Sequence, residues 1–296
     1  MEGSSLATHE LPRDHPGFAD DAYRRRRAAI ATIGQRHVPG APIPAVEYTA
    51  DENQLWSLVS GELARKHERY ACQDYLDACA ALALPSARVP QLREVTARLE
   101  VLSGWRLEPV PGLVPTRDFY AALARRRFCS TQYIRHASVP FYTPEPDIVH
   151  ELVGHANMLA SPRFAALYEA AGRASLRATS DDTLEVFSRV FWFTIEFGVV
   201  WENAELRTYG AGLLSSFGEL DEFRDAEIRE WDPLAMATTS YDITTYQPVL
   251  YAAPDMDTMF AELGEFFAAF DERSARALLT VTPASPSMGV EPTADG

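Results

Sequence analysis

Two histidines and one distant acid equip this chain for chemistry at a metal. Residues 143–155 read TPEPDIVHELVGH, so His150 and His155 enclose Glu151 in a stretch too acidic for ordinary core. Glu196 stands inside the apolar run VFWFTIEFGVV, residues 190–200. Two imidazoles and one carboxylate on one face of a metal leave the remaining positions open, an arrangement suited to oxygen chemistry at iron(II). Each part also has an ordinary reading. The histidines can be surface residues beside a salt-bridging glutamate, and Glu196 can be a buried partner of an arginine. An ionised acid in apolar surroundings is costly without such a cation or a metal.

The spacing separates this pair from the HExxH motif. Histidines four apart diverge by roughly 40° around an α-helix and can share a metal from one face. Five apart, they diverge by about 140° on an unbroken helix. Gly154, just before His155, suggests a remedy, since glycine lets a helix end or distort at low steric cost. His150 is therefore expected on the first turns of a helix that Asp147 caps, with His155 at its frayed end. A zinc hydrolase using Glu151 as general base is the rival reading. The five-residue spacing and the lack of a third nearby histidine count against it. A non-catalytic binding module is disfavoured because all three ligands are present.

The surrounding pattern is mainly helical. Apolar periodicity predicts helices over 20–35, 51–70, 90–103, 116–127, 147–154, 161–177, 181–201, 213–222 and 255–270. Thr49 or Asp51, Thr116, Ser161 and Asp181 or Asp182 are the expected caps. Strand-like runs occur at 105–110, 132–135, 206–209 and 248–252. In the helix over 181–201, Ser188, Trp192 and Glu196 share one stripe. The fold class expected is mainly α with a few short peripheral β-strands.

At 296 residues and 47% apolar content the chain can bury a large core. A net charge of −15 disfavours nucleic acid and anionic membranes as partners. Three cysteines without a CxxC pair argue against a disulfide framework and fit a reducing cytoplasm. No signal peptide is evident, and no apolar run reaches the ~18 residues of a membrane span. A cytoplasmic location is expected.

The segment TQYIRHASVPFYTPEPDIVHELVGH (131–155), with FWFTIEFG (191–198) and YGAGLLSSFGEL (209–220), closely resembles the pterin-dependent aromatic amino acid hydroxylases. The likeness runs in order through HPGFADDAYRRRR (15–27), PIPAVEY (42–48), GWRLEPVPGLVPTRDF (104–119) and TTYQPVLY (244–251). It implies that family's helical-basket catalytic domain, here without the regulatory domain and tetramerisation helix of the animal members. The expected organisation is a flexible segment 1–17, one iron- and pterin-binding domain over 18–275 and a flexible tail 276–296, as a monomer or small homo-oligomer.

The resemblance assigns roles residue by residue. His150, His155 and Glu196 match the iron ligands, and Glu151 a non-ligand acid close to the pterin and the metal. Gly112, Leu113, Thr116 and Phe119 match the loop and stacking ring that hold the pterin. Arg135 matches the arginine that grips the substrate α-carboxylate, Asp147 the acid that orients it, and Thr143 and Ser215 its polar neighbours. Pro146, Trp192, Phe197, Gly212 and Ile243 fall where the family shapes the aromatic pocket. Implied cofactors are Fe(II) and a tetrahydropterin such as tetrahydrobiopterin, with O2 as co-substrate. Cys129 and Phe191 depart from the animal pattern, which has histidine and tyrosine there. Ile243 replaces the acid of tyrosine 3-hydroxylases and leaves a substrate phenol without a partner. Phenylalanine hydroxylated at C4 is therefore the expected reaction, with tryptophan or meta-hydroxylation of phenylalanine as alternatives.

Overall fold

The structure, a computed structural model, describes residues 11–281. The rest of the two expected flexible segments lies outside the described residues. Within the N-terminal one, Leu11 and His15 are buried.

Helices carry the molecule, as expected. The first four are α1 (Asp21–Arg36), α2 (Ala50–Tyr70), α3 (Gln73–Leu82) and α4 (Leu92–Leu102). Helices α2 to α4 bury Trp56, Leu63, Tyr75 and Leu99 in the main core, and α1 packs Ile30 with Val46 and Tyr133 in a separate cluster. Thr49 caps α2 through a full capping box with Glu52, which settles the choice between Thr49 and Asp51. The predicted sequence pattern missed α3, which starts at Cys72 without a side-chain cap and buries only Tyr75, Ala78 and Leu82.

Next come β1 (Arg106–Pro109), α5 (Thr116–Leu123) and β2 (Arg127–Ser130). The helix expected to reach 127 stops at Leu123, and Arg126 turns the chain with a φ of 56°. Thr116 is the first helical residue and Pro115 holds the cap position. The freed residues form β2, parallel to β1. The strand expected at 132–135 is extended but unpaired. Its carbonyls accept instead from Tyr48 Oη at Gln132, from the Ile148 amide at Tyr133 and from Tyr23 Oη at Ile134.

Helix α6 opens as a π-helix, His150–Ala156, and closes as one α-turn, Asn157–Leu159. His155 is therefore not at a frayed end, because the helix widens there and continues. Helix α7 (Pro162–Ser175) follows, then α8 (Asp181–Phe191), capped by Ser180 rather than by Asp181 or Asp182. A second π-helical stretch, Trp192–Glu196, extends α8. The helix expected to run through 201 ends at this point. β-branched Val199 and Val200 enter β3 (Val199–Glu202), which pairs antiparallel with β4 (Glu205–Thr208).

The remaining elements are α9 (Ala211–Ser215), α10 (Glu219–Glu222), β5 (Glu227–Glu230), α11 (Pro233–Thr238), β6 (Val249–Ala253), α12 (Met256–Ala269) and α13 (Glu272–Val281). A single helix expected over 213–222 is thus two short ones, and α13 runs past the expected boundary at 275. Strands order β4-β3-β6-β5 in a peripheral sheet. No described helix is long and apolar enough to cross a membrane.

Candidate metal and substrate site

The π-winding solves the spacing problem. In an i→i+5 helix, residues five apart are neighbours on one face, as residues four apart are in an α-helix, so His150 and His155 face the same side. Their Nε2 atoms are 3.0 Å apart. Glu196, the last residue of the other π-stretch, brings Oε1 to 3.3 Å from His155 Nε2 and Oε2 to 4.0 Å from His150 Nε2. Two glycines let the backbones approach this closely. A Cβ on Gly154 would lie 2.8 Å from the Ala211 carbonyl oxygen, and one on Gly210 would lie 2.4 Å from that of Glu196. Helix α9 is thereby wedged between the two π-stretches. Gly154 serves this contact rather than helix termination.

Hydrogen bonds behind the imidazoles set which nitrogen is bare. Ser215 Oγ donates to the Ala211 carbonyl at 2.9 Å, so it accepts from His150 Nδ1 at 2.8 Å. Tyr168 Oη stands 2.7 Å from His155 Nδ1 and, when it donates to Met158 Sδ at 3.4 Å, accepts the Nδ1 proton. With protons on both Nδ1 atoms, both Nε2 lone pairs point into the same space. Two lone pairs facing each other at 3.0 Å repel unless a cation lies between them. Metal–nitrogen bonds of about 2.1 Å at a right angle separate two ligands by about 3.0 Å. The donor set therefore fits a divalent metal. Burial, aided by the neighbouring His155, lowers His150 to about 4 and keeps it neutral as a ligand must be. Glu196 is pushed up by burial, but the two histidines outweigh that and hold it below the usual range.

Glu151 lines the same cavity as the two histidines and is not one of the three clustered ligands. Its Oε1 accepts from the Thr131 amide at 3.1 Å and the Thr131 hydroxyl at 3.2 Å. Burial raises it to about 7 against the pull of His155 and these bonds, so it can hold or release a proton near neutrality.

Arg135 and Asp147 form a bidentate pair, Nε to Oδ2 at 2.9 Å and Nη2 to Oδ1 at 2.8 Å. Asp147 also accepts from the amides of Arg135 and His150, so it caps α6 as expected. At 0% exposure it stays ionised, because Arg135 and these bonds outweigh its burial. Arg135, 3% exposed, keeps Nη1 for the Pro140 carbonyl at 3.5 Å.

A cavity of about 700 Å3 opens over the three ligands. Gly112, Leu113, Thr116, Phe119, Pro146, Glu151, Trp192 and Ile243 line it, along with Cys129 and Phe191. Arg135, Thr143, Asp147, Phe197, Gly212 and Ser215 do not. Phe197 backs the wall, its ring 4.5 Å from that of Trp192, and Gly212 makes room for it, since a Cβ there would meet Phe197 at 2.7 Å. Ser215 serves His150 rather than Arg135, and the Thr143 hydroxyl donates to the Glu145 carbonyl. Tyr241 was not foreseen. It stacks on Trp192 at 4.5 Å and lines the cavity, and only its place two residues before Ile243 could have flagged it. Burial pushes the Cys129 thiol up to about 12, so it is an inert part of the lining.

A family model described as biopterin-dependent aromatic amino acid hydroxylase matches residues 5–278. The chain is 46% identical over 271 residues to a phenylalanine 3-hydroxylase of Streptomyces coeruleorubidus, covering 92% of this chain and 97% of that protein. It is 43% identical over 227 residues to the chloroplastic phenylalanine 4-monooxygenase of Pinus taeda, covering 76% and 64%. It spans about half the length, 51%, of the tyrosine 3-monooxygenase of Bos taurus that it matches. A solved structure of Chromobacterium violaceum phenylalanine hydroxylase with bound Fe(III) superposes with a TM-score of 0.77 at 28% identity, covering 87% of this chain and 98% of that one.

Proposed function

This chain belongs to the biopterin-dependent aromatic amino acid hydroxylase family, and from that premise we propose that it hydroxylates the ring of L-phenylalanine at C3. The observation that carries the substrate is the aromatic wall beside the metal ligands. Trp192 lines the cavity one helical turn from Glu196, packed against the rings of Phe197 and Tyr241. Ile243 at the rim, 73% exposed, offers no partner to a substrate hydroxyl. An unsubstituted ring needs no partner there, and a phenol would gain none from this side chain. The relative aligned over nearly its whole length supports C3. C4, the position expected from the sequence, is the second reading, and the likeness to a phenylalanine 4-monooxygenase favours it.

Bound iron and tetrahydropterin supply the oxygen activation that no side chain can. The chain's own part is placement. His150, His155 and Glu196 would hold the metal at a cluster that faces the cavity. Gly112, Leu113, Thr116 and Phe119 would receive the flat pterin, with Glu151 able to hold a proton on the same side. Arg135, pre-set by Asp147 behind the cavity wall, would turn Nη1 from its long 3.5 Å contact with the Pro140 carbonyl to take the amino acid's carboxylate, which would point the ring at the metal.

Incubation with iron(II), a tetrahydropterin, O2 and each aromatic amino acid tests this. Chromatography against 2-, 3- and 4-hydroxyphenylalanine standards reads the ring position. Predominant 3-hydroxyphenylalanine is expected, and predominant tyrosine moves the assignment to C4. Tryptophan turned over about tenfold faster than phenylalanine overturns the substrate.

A further inference from the structure

Residues 241–246 form a rim loop that carries Tyr241 and Ile243 into the cavity. Five of its six side chains are exposed and Tyr241 is half-buried. The next residue, Gln247, is buried, and its side-chain amide engages three partners. Its Oε1 accepts from Trp192 Nε1 at 2.9 Å. Its Nε2 donates to the carbonyls of Asp242 at 2.8 Å and Thr245 at 3.0 Å. The Gln247 backbone amide is itself fixed, donating to Glu219 Oε1 at 2.7 Å.

We propose that Gln247 is the positioning residue that sets ring position, by locking the Trp192 wall and the rim loop into one register. No other side chain joins the two by hydrogen bonds among the described residues. The stack of Tyr241 on Trp192 adds a second contact between them, but a stack slides and tilts easily, whereas two carbonyls and one indole N–H fix a direction. An amide suits the task because it accepts at one end and donates twice at the other. A shift of the wall by a fraction of a carbon–carbon bond decides which ring carbon lies nearest the metal. This inference rests on the proposal that Trp192 walls the substrate ring.

Two near-isosteric variants test it. Gln247→Met removes both ends of the link. Gln247→Glu keeps an acceptor for the indole and loses the donors to the loop. Loss of one to two net hydrogen bonds corresponds to about tenfold in the preference between adjacent ring carbons. The expected result is a fall of about that size in the ratio of major to minor hydroxyphenylalanine, with a higher KM for phenylalanine and an unchanged KM for the pterin. In a Trp192→Phe background, which has no indole donor, the further effect of Gln247→Glu should be much smaller. A wild-type preference for tryptophan would strike the substrate assignment and not this link. If wild type acts on phenylalanine and either soluble variant keeps its product ratio, losing only thermal stability, Gln247 is merely structural and the inference fails.

Discussion

Ser215 offers the sharpest test of how this site holds its metal. Its hydroxyl donates to the Ala211 carbonyl and accepts from His150 Nδ1, which commits the His150 proton to the nitrogen that faces away from the ligand cluster. Ser215→Ala removes one atom from a buried position and leaves the helix intact. In the metal-free variant the imidazole is free to move its proton to Nε2. Metal binding must then drive it back and leave Nδ1–H without an acceptor. An unmet buried donor costs about 1–3 kcal/mol, and losses of about 10–100-fold in metal affinity are typical for partners of this kind. Iron(II) affinity should therefore fall by about tenfold or more. Anaerobic competition against a chromophoric chelator measures it, with the melting curve of the metal-free protein as control. A dissociation constant within about twofold of wild type refutes the tautomer argument.

Other outcomes follow from single contacts. Arg135→Lys keeps the charge but breaks the fork to Asp147, so KM for the amino acid should rise about tenfold or more in steady-state assays while pterin KM holds. Arg135→Ala also strands a fully buried carboxylate and should lower stability by about 3–5 kcal/mol in denaturant titrations. Gly210→Ala puts a Cβ 2.4 Å from the Glu196 carbonyl oxygen, a backbone atom that cannot yield cheaply. Metal analysis should find that variant iron-poor even where it folds. Glu272 accepts from the Thr183 hydroxyl, from Arg276, from the Thr179 amide and from Ser180, which hold it far below its ordinary value of 4.5. Because the folded-state value is depressed, its stabilisation is complete above 4.5 and fades as pH falls below that. The difference in melting temperature between wild type and Glu272→Gln should hold from pH 7 down to about 4.5 and shrink below it, and a difference that stays constant below 4.5 would falsify the assignment.

The chemistry was more legible than the backbone that delivers it. Residue types alone pointed to His150, His155 and Glu196, because an acid in an apolar run and a close histidine pair both demand a partner. The structure brings these three together within 4.8 Å. Helical winding was not legible. A five-residue spacing told only that a regular helix must fail, and Gly154 suggested an ending where a widened turn occurs. The same limit hid the exit of α8 at Glu196, since Val199 and Val200 continue an apolar run that fits helix or strand equally. Partners across the chain were hidden for a different reason. Ser215 was placed beside Arg135 by resemblance, yet it serves His150 from 65 residues away, and no local pattern carries such a distance. Tyr241 likewise gains its role only when the rim loop folds onto Trp192.

The two widened windings, at His150–Ala156 and Trp192–Glu196, have a consequence for evolvability. Each holds one residue more than a regular helix of the same rise would need. Removing a single residue between the histidines would restore ordinary winding and the four-residue spacing of zinc peptidases, a change that local backbone energetics welcome. What the extra residue secures is the convergence of His150, His155 and Glu196 on a common centre, which a shared ion would reinforce. Amide exchange at both windings should accordingly quicken when the metal is withdrawn, well before the flanking α-turns of α7 respond.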